Sequence, residues 1–385
     1  MKIGLVIEHL DPRRGGAEQW THQFAHWLLG AGHEVHVVAG GFAAGAERTG
    51  IVPHRLPRAA GRLEFARAAE DRLDALSLDV AHDMGQGWHC DLFQPHGGSR
   101  AAAFERNLCL LPRWLRPFKR RAARWLPRYR EFQQLTMGQT IAEERIFIAI
   151  SRMVARDFER FHGVPRERVR LIYNGVDVER FSPGQRSNYR RVVRDELGVA
   201  EDELLLLIVA HNFRLKGVPA LLAAVGLLAA DGWPVRLAVV GGKRHPAFAR
   251  LAGRLGAGNA TRFVGSVEDA VPYYAAADAY VQPTWYDPCS LVLLEALASG
   301  LPVVTSRYNG AGELVTEGRE GWIVDDPGDP RELAGRLQPL FDPATRQRMS
   351  AAARALAEAH SFDRNGRELL AVYDEVVAAR RLRAA

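Results

Sequence analysis

The chain has 385 residues, of which 47% are hydrophobic and 25% are charged. This is the composition of an ordinary globular protein and excludes a disordered or fibrous one, and the length favours two domains over one. The formal net charge of +6 at pH 7 allows anionic partners without specifying which.

The cysteines and the short apolar runs indicate the compartment. Cys90, Cys109 and Cys289 lie far apart and have neither C-x-x-C nor zinc-site spacing, so we expect neither a disulfide framework nor a structural zinc. The apolar run that opens the chain is too short for a signal peptide, and the run over 204–210 is too short to cross a bilayer. We therefore expect a cytoplasmic protein with no membrane-spanning segment.

The N-terminal residues predict a βαβ unit. Residues 2–8 and 34–39 are typical of buried strands and residues 17–29 of the helix between them. The intervening loop contains Gly15 and Gly16, which either let the backbone approach a ligand closely or only form a tight turn. No G-x-G-x-x-G follows the first strand and no G-x-x-x-x-G-K-[ST] occurs anywhere, which disfavours a dehydrogenase or a P-loop enzyme.

A basic, aromatic segment follows over about 100–130. Between Glu105 and Glu131 every charged residue is a lysine or an arginine. Helical spacing would gather the apolar side chains on one side, as in elements that lie on anionic bilayers, while three prolines limit the segment to short helices. The residues expected to contact the membrane are Trp114, Arg116, Phe118, Lys119, Arg120, Arg121, Arg124 and Trp125. The alternatives are a solvated basic face whose aromatic side chains pack into the domain, and a nucleic-acid site, which no recognised module accompanies.

The second half repeats the α/β pattern. Strands are predicted over 204–210, 235–241, 262–267, 279–282 and 301–306, and helices over 218–230, 247–255, 329–341, 344–360 and 365–381. The segment 174–190, rich in Gly, Pro, Asn and Ser, is the expected connector. No short repeat occurs, so two doubly wound α/β domains are the simplest arrangement.

The segment 285–300 contains two acids, Asp287 and Glu295, separated by seven residues. An acid in the loop before a helix and another a little over two turns later can face the same ligand. Pro288 suits the first helical position and Gly300 the C-terminal cap, and the free N–H groups of a helix start suit a phosphate. The alternative is that Asp287 only caps the helix and that Glu295 is solvated.

Four motifs occur here in the order in which one family has them. They are Gly15-Gly16-Ala17-Glu18, Ile150-Ser151 with Ile172-Tyr-Asn-Gly-Val-Asp177, Lys216-Gly217, and the segment from Asp287 to Glu295 followed by Gly300-Leu-Pro302. On these motifs the chain resembles, over nearly its whole length, the retaining glycosyltransferases of family 4. Their GT-B fold has two Rossmann-like doubly wound domains facing across a cleft. The segment 213–217, the segment 291–295 and the basic insertion look most like the lipopolysaccharide core glucosyltransferases.

The resemblance implies a domain division. Residues 1–174 would form an N-terminal, acceptor-binding domain that carries the basic insertion, and residues 175–362 a C-terminal domain that binds a nucleotide sugar. Residues 363–385 would form a C-terminal helix able to pack back on the first domain.

The resemblance also implies roles for particular residues. Asp287 would face the donor sugar, Glu295 would bind the ribose, and Arg214 with Lys216 would hold the diphosphate. His96, in one of two loops predicted at strand ends, would lie near the reacting sugar, although a lone histidine is more often structural. The catalytic candidates are Asp287, His96 and Lys216, and the donor-binding candidates are Gly15, Gly16, Arg214, Lys216, Asp287, Cys289, Ser290, Leu291 and Glu295. No metal is expected, because no D-x-D triplet occurs.

The chain departs from the family pattern at three positions. Asp287 stands where the family usually has Glu, which shortens the reach by one methylene. His211 stands where many relatives have Arg, and Leu215 where close relatives do. Arg214 is the candidate to replace that arginine from a neighbouring position.

The expected function is transfer of a hexose, with UDP-glucose as the expected donor, to a lipid-linked or lipopolysaccharide-core saccharide at the inner face of the cytoplasmic membrane. Two alternatives remain open, a sugar-nucleotide epimerase of the same fold and a non-catalytic, membrane-associated scaffold. The sequence specifies neither the donor base nor the oligomeric state.

Overall fold

The computed structural model describes residues 1–242 and 246–384. The chain divides into two compact units. The first unit contains residues 1–173 and 363–385, and the second contains residues 174–362. Ala385, the last residue of the predicted C-terminal helix, lies outside the described residues.

The first unit is built on a seven-stranded sheet with the order β3-β2-β1-β4-β5-β6-β7. Its strands are β1 (Lys2–Leu10), β2 (Glu34–Phe42), β3 (Val52–Arg55), β4 (Val80–Asp83), β5 (Leu92–Phe93), β6 (Ile146–Ala149) and β7 (Val169–Leu171). Its helices are α1 (Gly16–Gly30), α2 (Arg62–Asp74), α3 (Arg100–Leu108), α4 (Arg116–Ala123), α5 (Pro127–Ile141) and α6 (Arg152–His162). The strand pairs are parallel, and β1 is almost entirely buried, as expected where helices cover both faces of a sheet.

The second unit is built on a six-stranded parallel sheet with the order β10-β9-β8-β11-β12-β13. Its strands are β8 (Leu204–Val209), β9 (Val235–Val240), β10 (Thr261–Gly265), β11 (Ala279–Gln282), β12 (Val303–Ser306) and β13 (Gly321–Val324). Its helices are α7 (Arg186–Leu197), α8 (Val218–Ala230), α9 (Pro246–Arg254), α10 (Val271–Ala276), α11 (Leu291–Ala298), α12 (Pro330–Leu337) and α13 (Pro343–Glu358). Helix α8 is apolar on nearly every side because it is buried in the core of this unit.

Both sheets have a doubly wound order, in which the chain moves outward from a central strand in one direction and then in the other. The order reverses between β1 and β4 in the first sheet and between β8 and β11 in the second. The prediction of two Rossmann-like α/β domains is therefore confirmed.

The last helix, α14 (Phe362–Ala384), returns the chain to the first unit. The Tyr373 hydroxyl lies 2.7 Å from Nδ1 of the buried His82, and Arg380 pairs with Asp91 at 2.5 Å. The Tyr373 contact and the Arg380–Asp91 ion pair thus hold this helix to the first unit.

Several predicted boundaries were wrong, two of them with a clear physical reason. Helix α11 begins at Leu291 rather than at Pro288, because Asp287 forms a β-bridge with Asn309 and Ser290 has an extended backbone. The helix predicted over 329–341 ends at Leu337 and continues as a 3-10 turn, since Pro339 cannot donate the backbone hydrogen bond that an α-helix needs. The expected connector, 174–190, begins where the first unit's long segment ends at Tyr173, and α7 starts within it at Arg186.

The basic segment forms short helices, as its prolines predict. A 3-10 turn (Arg113–Leu115) leads into α4, and α5 begins separately at Pro127. The single apolar side expected from helical spacing across 111–129 is therefore broken at residues 124–126. Within the described residues, no helix combines the length and the apolarity that crossing a bilayer requires.

Candidate functional site

In the second unit, two loops leave the sheet at the point where the strand order reverses. The loop after β8 contains Arg214 and Lys216, and the loop after β11 contains Asp287. Ligands of doubly wound sheets bind outside the carboxyl ends of the strands at this reversal. The topology therefore places the residues of two predicted motifs at the expected ligand-binding position.

Lys216 and Asp287 form the central ion pair of this site. Lys216 Nζ lies 2.5 Å from Asp287 Oδ2, and Asp287 is only 7% exposed. A carboxylate that is so little hydrated needs a compensating charge, which Lys216 provides. The same ammonium keeps two further donors for a ligand.

The loop that carries Lys216 is held directly against the loop that carries Asp287. The backbone N–H of Trp285 donates to the Leu215 carbonyl at 2.8 Å. Gly217 has φ +79°, and a Cβ atom there would lie 2.0 Å from the Pro283 carbonyl oxygen. Only glycine accepts both conditions, so Gly217 sets the position of Lys216.

Asp287 is fixed by its backbone rather than by a helix cap. Its N–H donates to the Tyr308 carbonyl at 2.9 Å, and its carbonyl accepts from Gly310 N–H at 2.8 Å. The residue in the N-cap position of α11 is Ser290, whose hydroxyl donates to Gln282 Oε1 at 2.9 Å and makes no capping bond. The alternative in which Asp287 only caps the helix is therefore wrong.

Glu295 lies on α11 and is 8% exposed, so the alternative of a solvated residue is also wrong. Its Oε2 accepts a hydrogen bond from the Tyr274 hydroxyl at 2.8 Å. Burial raises the pKa of Glu295 to about 7, against the opposing effect of the Tyr274 bond and of Arg180. A carboxyl with this pKa is partly ionised at neutral pH and is ready to accept hydrogen bonds from vicinal hydroxyls.

Asp287 and Glu295 both influence the hydroxyl of the buried Tyr280. Burial raises the pKa of the Tyr280 hydroxyl, and the charges of Asp287 and Glu295 both add to the rise. That the two acids face one ligand stays a prediction.

The remaining predicted donor residues lie around this pair. Arg214 is exposed, and its carbonyl accepts from Gly217 N–H at 3.3 Å. Cys289 is buried, its carbonyl accepts from Asn174 Nδ2 at 3.0 Å, and burial raises the pKa of its thiol well above the usual value. Ser290 is buried, and Leu291 is half-buried at the first position of α11.

The predicted residues of the first unit lie on different loops of its sheet. Gly15 precedes α1 in an extended conformation, and Gly16 is the first residue of that helix. His96, in the loop after β5, packs on Trp20 with ring centroids 4.5 Å apart. Burial lowers the pKa of His96 to about 3, so its imidazole is neutral at pH 7.

Asp83 is a buried acid of the first unit that the sequence patterns did not single out. Its carboxylate accepts backbone hydrogen bonds from Gly85, Gln86 and Gly87 at 2.6 to 2.7 Å. Burial nevertheless raises its pKa to about 6. The only available signal was the pair of glycines after a predicted strand, which indicates a tight turn around an acceptor.

The basic segment exposes its aromatic rings. Trp114, Phe118 and Trp125 are 68%, 70% and 73% exposed, which contradicts the alternative in which these side chains pack into the domain. Two of its arginines have local partners. Arg116 donates to the Leu111 and Cys109 carbonyls at 3.0 Å, and Arg120 pairs with Glu105 at 2.5 Å.

Two family models match the chain. A model described as Glycosyltransferase Family 4 matches residues 14–180, and one described as Glycosyl transferases group 1 matches residues 203–342. Together these two ranges include the Gly15–Gly16 loop, Lys216, Asp287 and Glu295.

Curated relatives with about one third identity are D-inositol 3-phosphate glycosyltransferases. The enzyme of Catenulispora acidiphila is 33% identical over 257 residues, covering 58% of this chain and 59% of that protein. The enzyme of Geodermatophilus obscurus is 34% identical over 264 residues, covering 63% of this chain and 57% of that protein. The chain thus spans less than two thirds of the length of these relatives.

Solved structures show the fold over the whole chain. WaaG, a glycosyltransferase involved in lipopolysaccharide biosynthesis, has a TM-score of 0.80 at 20% identity and covers 97% of this chain and 99% of its own. Anabaena Alr3699/HepE, in complex with UDP-glucose, has a TM-score of 0.74 at 19% identity and covers 97% and 100%.

Two doubly wound sheets of this kind match the GT-B fold, in agreement with the solved structures. The chain belongs to glycosyltransferase family 4, as the matching family models and the predicted motifs agree.

Proposed function

We propose that the protein is a retaining hexosyltransferase that takes glucose from UDP-glucose and transfers it to a lipid-linked or lipopolysaccharide-core saccharide. The observation that carries this proposal is the Lys216–Asp287 pair with Glu295 at the reversal point of the second sheet. The solved complex of a structural neighbour with UDP-glucose supports this choice of donor.

Lys216 and Asp287 divide the donor between them. The sugar hydroxyls donate hydrogen bonds to the Asp287 carboxylate, and the diphosphate meets the Lys216 ammonium. Glu295 accepts from the ribose hydroxyls. The first turn of α11 adds backbone N–H groups that have no intrahelical acceptor and carry the positive end of the helix dipole.

The charge on the departing diphosphate grows in the transition state, so these fixed positive groups stabilise it more than they stabilise the bound donor. The bond from the anomeric carbon to the phosphate oxygen breaks, and a bond to the acceptor oxygen forms on the same face. The leaving phosphate oxygen takes the acceptor proton. This sequence requires no protein nucleophile.

We propose that this chemistry is independent of a metal ion, because Lys216 and the α11 N–H groups supply the positive charge. Transfer should be unchanged when EDTA is present throughout the assay. A rate that falls with EDTA and returns with added Mg²⁺ or Mn²⁺ would contradict this part of the proposal.

The acceptor has a second candidate. Relatives at 33–34% identity are named for D-inositol 3-phosphate, which favours a soluble phosphorylated cyclitol as the alternative acceptor. Supplying purified protein and UDP-glucose with either inositol phosphate or a cell-envelope extract, followed by product analysis, distinguishes the two.

We also propose that the basic segment holds the enzyme at the inner face of the cytoplasmic membrane. The supporting observation is that three large aromatic rings are exposed between cationic side chains, and about 1 kcal/mol per basic residue is available at an anionic surface. Replacing Arg120, Arg121 and Arg124 together with Gln should reduce sedimentation with phosphatidylglycerol vesicles about 100-fold. Undiminished sedimentation would contradict the membrane role.

The first experiment is thermal stabilisation by UDP, GDP and ADP, each alone and as a hexose conjugate. A ligand that binds only the folded state raises stability by RT ln(1 + [L]/Kd). Stabilisation by UDP and UDP-glucose alone supports the proposed donor. If none of the nucleotides stabilises the protein, the scaffold alternative is favoured. A free epimer formed without acceptor would favour the epimerase alternative.

A further inference from the structure

Three arginines of the first unit surround one phenyl ring. The guanidinium carbons of Arg62, Arg100 and Arg128 lie 4.3, 5.1 and 5.6 Å from the centre of the Phe132 ring. They come from α2, α3 and α5, while Phe132 lies in α5. We call these four residues the arginine cluster.

Arg100 is the most enclosed of the three cations. Its Nη2 donates to the Gly85 carbonyl at 2.7 Å, whereas its Nη1 is buried without a hydrogen-bond partner among the described residues. Burial and then the positive charge of Arg62 lower the pKa of Arg100 to about 10. A buried donor left unpaired costs about 1–3 kcal/mol, so Nη1 is positioned for a ligand that the protein itself does not supply.

The nearby acids are already engaged by backbone donors. Glu131 Oε1 accepts from the N–H of Arg62 at 2.6 Å, and the Asp83 carboxylate accepts from three loop N–H groups. In the described part of the chain, no ion pair within 4 Å joins an acid to any arginine of the cluster. Asp83, Glu131 and Glu8 partly offset the positive charge of Arg100, but burial and the charge of Arg62 have the larger effect and keep the pKa of Arg100 below its usual value. Cation–π contact adds only about 0.5–1 kcal/mol per exposed cation.

A small cavity reaches Arg100 of the cluster, and its lining combines apolar side chains, among them Phe93, Phe147 and Phe158, with polar ones. Arg100 and His162 lie on its wall together with Thr136, Gln139 and Thr140. His162 Nε2 lies 2.9 Å from the Ser99 hydroxyl, and its Nδ1 is buried without a partner in the described residues. Gly85 and Gly98, which also line the cavity, belong to the loops that follow β4 and β5, at the carboxyl edge of the sheet where ligands bind.

We propose that the arginine cluster binds a phosphate group of the acceptor. A phosphate dianion matches several converging guanidinium groups better than a neutral sugar does, since each guanidinium can donate two parallel hydrogen bonds to it. The identification of the ligand as the acceptor rests on the proposed transferase function. The anion site itself does not depend on which donor the protein uses.

The test uses inorganic phosphate as the probe and thermal stability as the readout, with sodium chloride at equal ionic strength as the reference. The variants are Arg100→Gln and Arg128→Gln. The matched control is Arg67→Gln, which removes an exposed charge from the same helix, α2, that carries Arg62. We expect saturable stabilisation of the unsubstituted protein and of the control, and at least a tenfold weaker apparent affinity in Arg100→Gln.

Arg128→Gln protects the test against a folding defect, because Arg128 is exposed and its removal disturbs no buried contact. Lys216→Met separates this site from the donor site and should keep the full phosphate response. Equal stabilisation by phosphate in the cluster variants and the control would overturn the proposal, as would the absence of any phosphate-specific stabilisation.

Vesicles distinguish a soluble phosphate from a lipid headgroup. Loss of phosphate binding with unchanged binding to phosphatidylglycerol vesicles assigns the cluster to a soluble phosphorylated saccharide or cyclitol. Loss of both assigns the same phosphate chemistry to a lipid headgroup. If UDP fails to stabilise the protein while the cluster still binds phosphate, the proposed function fails and the anion site stands.

Discussion

The second unit balances its charges within the protein, whereas the first unit collects charge of one sign. Asp287 is nearly buried and meets Lys216 at 2.5 Å, so this pair carries no net charge before a ligand arrives. The arginine cluster places three cations around Phe132 with no acid paired to them among the described residues. The difference indicates which ligand groups each site is built for.

A balanced pair suits a donor that carries both hydroxyls and a diphosphate, because each half of the pair meets one of them. An unbalanced cluster suits a ligand that brings the missing negative charge itself. The two sites should therefore respond in opposite ways to loss of a cation. Removing Lys216 leaves a buried carboxylate unpaired, while removing a cluster arginine relieves repulsion.

The largest expected effect is that of Lys216→Met. Transfer should fall about 100- to 1000-fold, the usual loss when one fixed group that stabilises developing charge is removed. The free energy of unfolding should fall by about 2–3 kcal/mol, since Asp287 loses its partner. Steady-state rates and urea titration measure the two losses, and a variant that is inactive but fully stable would show that Asp287 does not depend on Lys216.

Gly217→Ala tests whether backbone geometry sets that pair. The added Cβ would lie 2.0 Å from the Pro283 carbonyl oxygen in a left-handed conformation, so we expect a loss of about 3 kcal/mol in stability together with weaker UDP binding. Gly232→Ala is the control, because Gly232 has a similar φ of +80° with no atom within 4 Å. An equal loss in both variants would mean that φ alone, and not the contact with the second loop, is responsible.

Glu295→Gln should change how stability depends on pH. The folded pKa of Glu295, about 7, lies above the usual glutamate pKa of 4.5. The folded state therefore holds the proton more tightly, and its stability falls as pH rises from about 4.5 to 7. Relative to the Gln variant, this loss amounts to about 3 kcal/mol and is complete above pH 7. Unfolding titrations of both proteins at pH 5, 6 and 8 measure the difference.

The same substitution separates stability from donor binding. Ionised Glu295 is the better acceptor for ribose hydroxyls, so the affinity for UDP should rise through pH 7 in the unsubstituted protein. It should stay nearly constant over that range in Glu295→Gln. If the UDP affinities of the two proteins change with pH in the same way, Glu295 does not belong to the proposed donor site.

The smallest effect is expected from Arg128→Gln without added anion. Loss of one exposed cation from a group of three should stabilise the protein by a few tenths of a kcal/mol and should leave UDP binding unchanged. Urea titration at low salt measures this change. A clear loss of stability would show that the ring contact with Phe132 outweighs repulsion, and the contrast with the Lys216–Asp287 pair would disappear.

The positions of the proposed donor-site residues in the fold could be predicted from the sequence, because these residues lie in two short segments that each follow a recognisable strand. The apolar runs and their glycines located β8 and β11, and the distance between Asp287 and Glu295 indicated a shared side. The details were less predictable. Pro288 suggested a helix start, but the bridge between Asp287 and Asn309 and the extended backbone of Ser290 delay the helix to Leu291.

The arginine cluster illustrates the opposite case. Arg62, Arg100 and Arg128 belong to three helices separated by long stretches of chain, and each alone is typical of a solvated basic residue. Only packing brings them to one ring. The raised pKa values of Asp83 and Glu295 could not be predicted from the sequence either, since desolvation depends on every element that surrounds a carboxyl group.

The sequence by itself determined the family, the two doubly wound sheets and the strand–loop segments on which the proposed donor-site residues lie, because periodic apolar patterns and local motifs encode structure over short distances. The tertiary structure decided which charges are paired and which are left unpaired. Pairing depends on distances of a few ångströms between loops and helices far apart in the chain, and only the packed fold sets those distances.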